Sequence, residues 1–497
     1  MVPVRYLLTC FFLLLFFPLL AQKPEQPVRL ELPFDLEATE AEVIALPDSS
    51  LLVYHSTSDV WHSAVIFHFT KYDSRLEPVW SDTISIAADS EFLRHYTEAP
   101  YTHFIFGEND LQQYTLVRLN NNTGQVQHKR YELEQIDAVY DFVVLQGNYF
   151  IIGNNKKEKK PLLLHLSPRS GEVQLLPSVY GNQSTFSDLL ADTARQRVDA
   201  VLSESNGRIS RLQVKSFHAN GSLLSSQFIL QQENRRLLHA EITPGDSSGR
   251  MLFGTYGTRD LQYNQGFFTT PVTATVVDEE GRFYSMLDLE NFFRYLKPRQ
   301  EERTRRREAV RQKQGKNPRY RYRLLLHDLI PTPTGYILAA EVYYPQYTSG
   351  GGNNWGLDRT ISMGGRQQEG YKRTHAVALG FDKQGVLLWD NIFPLKDIVT
   401  FKLVHTVEVG RMPDGRVVMA YPKEEKIIYR VMDRNKFVDE ETEMELLTYE
   451  EDEKIQETIS PGIIRWYGSS FAAFGFQRVK PKKGGSRTVF YINKITF

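Results

Sequence analysis

One local pattern recurs along this chain and limits what the chain can become. In "ALGFDKQGVLLWDN" (378–391) an alternating apolar strand meets Asp382-x-x-Gly385 and leaves as a second strand closed by Trp389. The same sentence is written at 67–86, 116–133, 163–179, 214–230, 273–289 and 427–446, seven copies in all. Gly, Asn and Asp tolerate the positive φ that a tight hairpin demands, which explains the spelling of the turns. Alternation on either side leaves one face apolar and one wet.

The spacing says more than the hairpin does. Gly124, Gly171 and Gly221 fall 47 and 50 residues apart, and Gly281 and Gly385 occupy the same place in later units. A period of that length suits a unit of four strands. Two further strands precede the hairpins: "AEVIALPDSSLLVYHS" (41–56), "YDFVVLQGNYFIIGNN" (140–155) and "HTVEVGRMPDGRVVMAYP" (405–422) each read as strand, turn, strand. Four antiparallel strands repeated at this period predict an all-β fold, a β-propeller of about eight blades, with seven as the fallback. Paired β-sandwiches are the rival, but they need no even period.

The last unit is short of a strand. "GIIRWYGSSFAAFGFQRV" and "RTVFYINKITF" supply three, and "PVRLELPF" (27–34) has no partner of its own. Joining both chain ends in one blade closes the ring and removes two open sheet edges.

The D-x-x-G-x-Φ-x-W hairpins resemble those of secreted β-propeller proteins of the Bacteroidota type. The likeness covers nearly all of the chain after residue 21. It brings no catalytic residues, and the signatures of WD40 and kelch blades are missing.

Export is expected on separate grounds. Arg5 followed by "YLLTCFFLLLFFPLL" (6–20) and Ala21 reads as a signal peptide, 1–21, ahead of a single domain, 22–497. Fifteen uncharged residues are short of the ~20 that span a bilayer, so no membrane span is expected in the mature chain. The one cysteine, Cys10, lies inside that segment, which leaves the domain without disulfide or thiolate chemistry. Basic and acidic residues balance at 59 and 60, which argues against a nucleic-acid partner.

Two insertions interrupt the rhythm between Gly281 and Gly385. The first, 297–323, is basic and should be helical in its middle, where Glu301 and Arg305 stand four apart. It reads either as an arm for an acidic partner or as a solvated connector. The second, 343–373, is rich in Gly and aromatics. Tyr344, Tyr347, Trp355 and Tyr371 offer flat faces, and Arg366 and Arg373 offer forked donors for carboxylate or sulfate. These six residues are the candidate ligand site; the alternative is a long loop folded over a blade. An acidic stretch, 439–457, reads as a solvated linker between the last two units.

Motifs for nucleophilic, metal and phosphate chemistry were sought without success. His55, Asp59 and His62 could converge on a metal, but so short a cluster arises easily by chance, and no metal or cofactor is expected. The favoured function is an exported, non-catalytic propeller, periplasmic or extracellular, that binds an envelope protein or a glycan at one rim. Two alternatives stand beside it. One is a polysaccharide-acting hydrolase or lyase with its site in the channel, which requires ionisable groups with perturbed pKa values inside the ring. The other is a structural part of an envelope assembly.

Overall fold

The structure, a computed structural model, describes residues 24–36, 39–58, 64–108, 112–154, 160–177, 184–205, 210–229, 235–246, 249–258, 260–272, 281–347, 368–436, 442–450 and 452–497. The expected signal segment lies outside them, as do Asp59, His62, Trp355 and Arg366.

Eight antiparallel sheets form the blades of a β-propeller. The first strands are Thr39–Ala45, Ser90–Glu98, Ala138–Leu145, Thr185–Asp192, Arg236–Ile242, Arg323–Leu326, Glu408–Arg411 and Lys454–Arg465. From blade two to blade five, and from blade seven through eight to one, these first strands touch their neighbours, so they form the inner wall. Blade six carries two short extra strands: Ile330–Pro331 pairs with Gly335–Tyr347, and Val399–Thr400 pairs with Gln368–Asp382.

Blade eight joins the chain ends. Glu25–Leu32 runs antiparallel to Arg487–Thr496, with Leu30 opposite Ile492 and Leu32 opposite Phe490. The apolar residues sort the same way. Eight buried clusters each draw on two neighbouring blades, and the set runs once round the ring. The closing cluster sets Val43, Leu51 and Val53 of blade one against Phe474, Phe490 and Ile492 of blade eight. Each fully buried side chain of this size contributes roughly 1.5–3 kcal/mol, so blade-to-blade packing, not disulfides, carries the fold.

The repeated turn has a second reason for glycine. Gly124 and Gly385 sit at φ 78° and 75°, where a Cβ is strained. A Cβ on Gly124 would also meet the Trp80 ring of the preceding blade at 2.8 Å, and Trp80 Nε1 donates to Asn121 O at 3.1 Å. The turn is therefore also a latch between blades. Blade one departs from the pattern: Leu76 stands three residues after Asp73 with φ 64°, and its side chain is buried in the closing cluster. Gly281, expected to match the other turn glycines, is not left-handed.

The basic insertion forms a helix, Pro298–Lys313. It has no apolar face to bury, and it docks by charge instead. Arg305 donates to Leu289 O and Glu290 O, at 3.1 and 2.7 Å, while its guanidinium covers the Phe293 ring. Glu308, almost fully buried, accepts from Arg307 Nε at 2.8 Å and from the Arg319 amide at 2.9 Å. The acidic stretch is only in part a linker. Thr442–Glu445 is the outer strand of blade seven, and Lys454 opens the inner strand of blade eight.

Candidate functional site

The inner wall carries polar groups at one recurring height. The first strands of blades two to five each shift register once, between Phe92 and Arg94, Val139 and Asp141, Phe186 and Asp188, and Leu237 and His239. A bulge of this kind re-aims the side chain beside it. It leaves Arg94, Asp141, Asp188 and His239 at equivalent places in four consecutive blades.

Bonds between blades fix these positions. Arg94 Nε donates to Tyr140 O at 3.0 Å, and the Ile242 amide donates to Asp188 Oδ2 at 2.8 Å. Ser187 Oγ accepts the Ala240 amide at 2.6 Å and donates to Ala240 O at 2.8 Å. Part of this polar ring is accordingly structural, stitching one blade to the next.

The carboxylates of the wall repel one another. Burial first, then Asp328, push Asp141 up to about 6, against the pull of Arg94 and the Phe142 amide. Burial pushes Asp188 up to about 7, with Asp328 and Asp141 adding to it. Glu241 rises well above the usual range, through burial and then Asp188, Asp328 and Asp141. Glu408, on blade seven, rises to about 7 by burial. One exposed residue, Asp328, raises carboxylates of blades three, four, five and seven. Water still reaches Asp141, Asp188 and Glu241, which are half-buried. The imidazoles respond in the opposite sense: burial lowers His239, and burial with Arg94 lowers His95 to about 4.

One end of this channel opens into a cavity of about 1240 Å³ over the turns of blades one to four. Tyr96 and Tyr101 present aromatic rings to it, and Arg118, Arg169, Gln146 and Asn148 present donors. Tyr96 ties cavity to channel. Burial raises its hydroxyl pKa to about 12, and both Glu98 and Asp141 add to the rise. Glu98 receives the Gln146 and Gly147 amides, at 2.5 and 3.1 Å, and so fixes the turn that floors the cavity. A separate hollow of about 690 Å³ on blade seven is lined by Lys and Glu side chains without an aromatic face.

The residues expected from sequence lie elsewhere. Tyr344, Tyr347 and Tyr371 are on blade six, on the long strands that flank 348–367, a connection between second and third strands. In an antiparallel meander the Tyr347 and Gln368 ends of these two strands lie on the face opposite the turns that build the cavity. Tyr347 is exposed, and Tyr371 packs edge-on against Tyr343. Arg373 does grip a carboxylate, but the protein's own. It is fully buried, with Nε 3.2 Å from Glu341 Oε2 and further bonds to Thr400 Oγ1 and the carbonyls of Tyr371 and Val404. His55 stacks on His68, centroids 4.6 Å apart. Among the described residues no group of three His, Cys, Asp or Glu side chains could hold a metal ion. No helix there is long and apolar enough to cross a membrane.

No family model matches the chain, and no curated protein matches it. Among solved structures it is similar to the polysaccharide lyase Uly1, at 8% identity over 81% of this chain and 89% of that one, with a TM-score of 0.42. It is also similar to the cobalt-substituted apocarotenoid oxygenase of Synechocystis, at 6% identity and a TM-score of 0.32. That match takes in 48% of this chain and 61% of the oxygenase, less than two thirds of its length. Neither likeness is close enough to carry function across.

Proposed function

We propose that this chain is an exported glycan-binding propeller that takes its ligand at the channel mouth over blades one to four. The observation that carries the reading is the cavity of about 1240 Å³, where Tyr96 and Tyr101 stand beside Arg118, Arg169 and Asn148. Flat rings cover the apolar face of a sugar and forked donors take its hydroxyls, at little conformational cost when the turns beneath are pinned. Glu98 supplies that pinning.

The test is calorimetry on a panel of oligosaccharides with three proteins: wild type, Tyr101→Ala with Arg169→Ala, and a chain in which 348–367 is replaced by a short Gly-Ser linker. The reading expects the double substitution to weaken binding at least tenfold and the loop replacement to leave it unchanged. The reverse pattern would move the site to Tyr344, Tyr347, Trp355, Arg366 and Tyr371, and no binding by wild type would end it.

A second reading is favoured by the carboxylates. Asp141, Asp188 and Glu408 titrate near 6 to 7, where one group can hold a proton while a neighbour is ionised. Glycoside hydrolysis needs that division of labour. Release of reducing ends across pH 5–8, abolished by Asp188→Asn, would establish it.

A further inference from the structure

A smaller recess of about 280 Å³ opens beside the cavity, between blades two and three, and shares Arg118, Gly147 and Pro168 with it. Its composition is one-sided. Arg118, Lys129, His103 and His128 line it together with Tyr131 and Tyr149, and no carboxylate among the described residues does.

Its deepest group is His103, 1% exposed on the second strand of blade two. The imidazole Nδ1 lies 2.7 Å from Tyr149 Oη on blade three. Nε2 is buried with no partner among the described residues, and the same holds for Arg118 Nε. Buried donors left unmatched are costly, and two of them side by side at the wall of a recess call for an acceptor.

The protonation states agree with such a use. Burial, and then Arg118, holds the imidazole neutral by pushing it down to about 3, while burial pushes the Tyr149 hydroxyl up. A phenol that keeps its proton can donate a hydrogen bond to Nδ1, and the imidazole hydrogen then sits on Nε2. Tyr101 supports the cation, with the Arg118 guanidinium 3.5 Å from its ring centroid. The ordinary account is an inter-blade latch, as Asp199 and Arg250 provide between blades four and five at 2.8 Å. That pair, however, encloses its charges, with Ser216 and Arg197 completing Asp199. The His103 side opens on a recess.

We infer that this recess is an anion subsite, in which Arg118 and His103 Nε2 receive a carboxylate or sulfate carried by the glycan. Resting on the proposed reading of the cavity, it makes the ligand an acidic polysaccharide, uronate-bearing or sulfated. A forked guanidinium with a converging neutral donor suits either group.

The experiment follows the His103 side-chain nitrogens by NMR in full-length protein labelled on histidine. Sodium sulfate, glucuronate, neutral glucose, and neutral, uronate-bearing and sulfated oligosaccharides are added in turn, to wild type and to Arg118→Gln. A saturable shift of Nε2 with glucuronate, with sulfate or with both, weakened about tenfold or more in Arg118→Gln, supports the subsite, and the stronger of the two anions names the source. Glucose moving Nε2 as far as the anions do, an unchanged response in Arg118→Gln, or no shift with any anion overturns it. Should the variant fail to fold, His103→Asn is measured in its place by calorimetry with the same anions, the same weakening being expected. Anions that bind while every oligosaccharide fails would leave the subsite standing and remove the glycan reading. Neutral oligosaccharides that bind as well as both the uronate-bearing and the sulfated ones would do the opposite.

Discussion

Arg29 and Asn493, 464 residues apart in the chain, are joined by a hydrogen bond of 2.9 Å from Arg29 Nη1 to Asn493 Oδ1. The same guanidinium donates to Gln477 Oε1 and Leu447 O, each at 2.9 Å, and pairs with Glu31 at 2.8 Å. One side chain from the first strand thus contacts two other strands of blade eight and the link that leads into it. Arg29→Ala should cost roughly 2–4 kcal/mol, because it strands buried acceptors as well as the Glu31 carboxylate. Urea unfolding followed by tryptophan fluorescence measures this. A cost below about 0.5 kcal/mol would mean that the strand is held by its ladder alone.

Removing the strand altogether is the more severe change. A chain beginning at Asp35 exposes the edge Arg487–Thr496 and uncovers Phe490 and Ile492, which pack against Leu30 and Leu32. Such an edge pairs with other chains. The truncated protein should elute as aggregate in size-exclusion chromatography, and adding the free peptide 24–34 during refolding should restore part of the monomer.

The repeated turns predict a loss of stability at two equivalent positions, for different reasons. Gly124→Ala adds a Cβ in a left-handed backbone and against Trp80, so a loss of about 2 kcal/mol or more is expected. Leu76→Gly relieves backbone strain of about 1 kcal/mol but empties a buried site, for a net loss of roughly 1–3 kcal/mol. Thermal melts of the two variants measure both losses. A more stable Leu76→Gly protein would show that its side chain is replaceable.

The ring was legible in the sequence because its signal is local. Turn chemistry and alternation sit within a few residues of each other, and their period survives even where Leu76 replaces glycine. The site was not legible, since it depends on which side chains converge from different blades. A trace was present nonetheless: Arg94, Asp141 and Asp188 stand 47 residues apart, charged positions in the first strands of successive blades, at the blade period. Aromatic and guanidinium content pointed instead to 343–373, where Arg373 turns out to be occupied by Glu341. Composition reports which groups a segment has, and only packing decides which of them are already used.

The arginine-rich helix tests that distinction again. Its arginines read as a basic arm or a solvated connector, yet Arg305 is held by backbone carbonyls and Glu308 is buried beneath Arg307. Glu308→Ala should leave the Arg319 amide without its acceptor and free the helix, at a cost of about 2–3 kcal/mol. Hydrogen exchange should then rise across 298–322 while the eight blades keep their protection. Unchanged exchange over 298–322 would show that Glu308 does not hold the helix.

The channel carboxylates set a dependence on pH that a single substitution isolates. Asp188 has a folded pKa of about 7 against 3.8 for the free side chain. With the folded value raised, the neutral acid's contribution to stability is complete below about 4 and is lost as pH rises through 7, since the unfolded chain ionises first. Wild type alone hides this, because buried histidines such as His95 and His103 destabilise the fold in the opposite direction as pH falls below 6.5. Asp188→Asn keeps an acceptor for the Ile242 amide and removes only the ionisation. It should match wild type at pH 4 and melt a few °C higher at pH 8. Glu241→Gln should behave alike, and the two together should gain less than the sum, because Asp141, Asp328 and each other are the charges that both groups face. Melting curves for the four proteins at pH 4, 6 and 8 complete the cycle. Additive gains would mean that these two carboxylates do not feel one another across the channel.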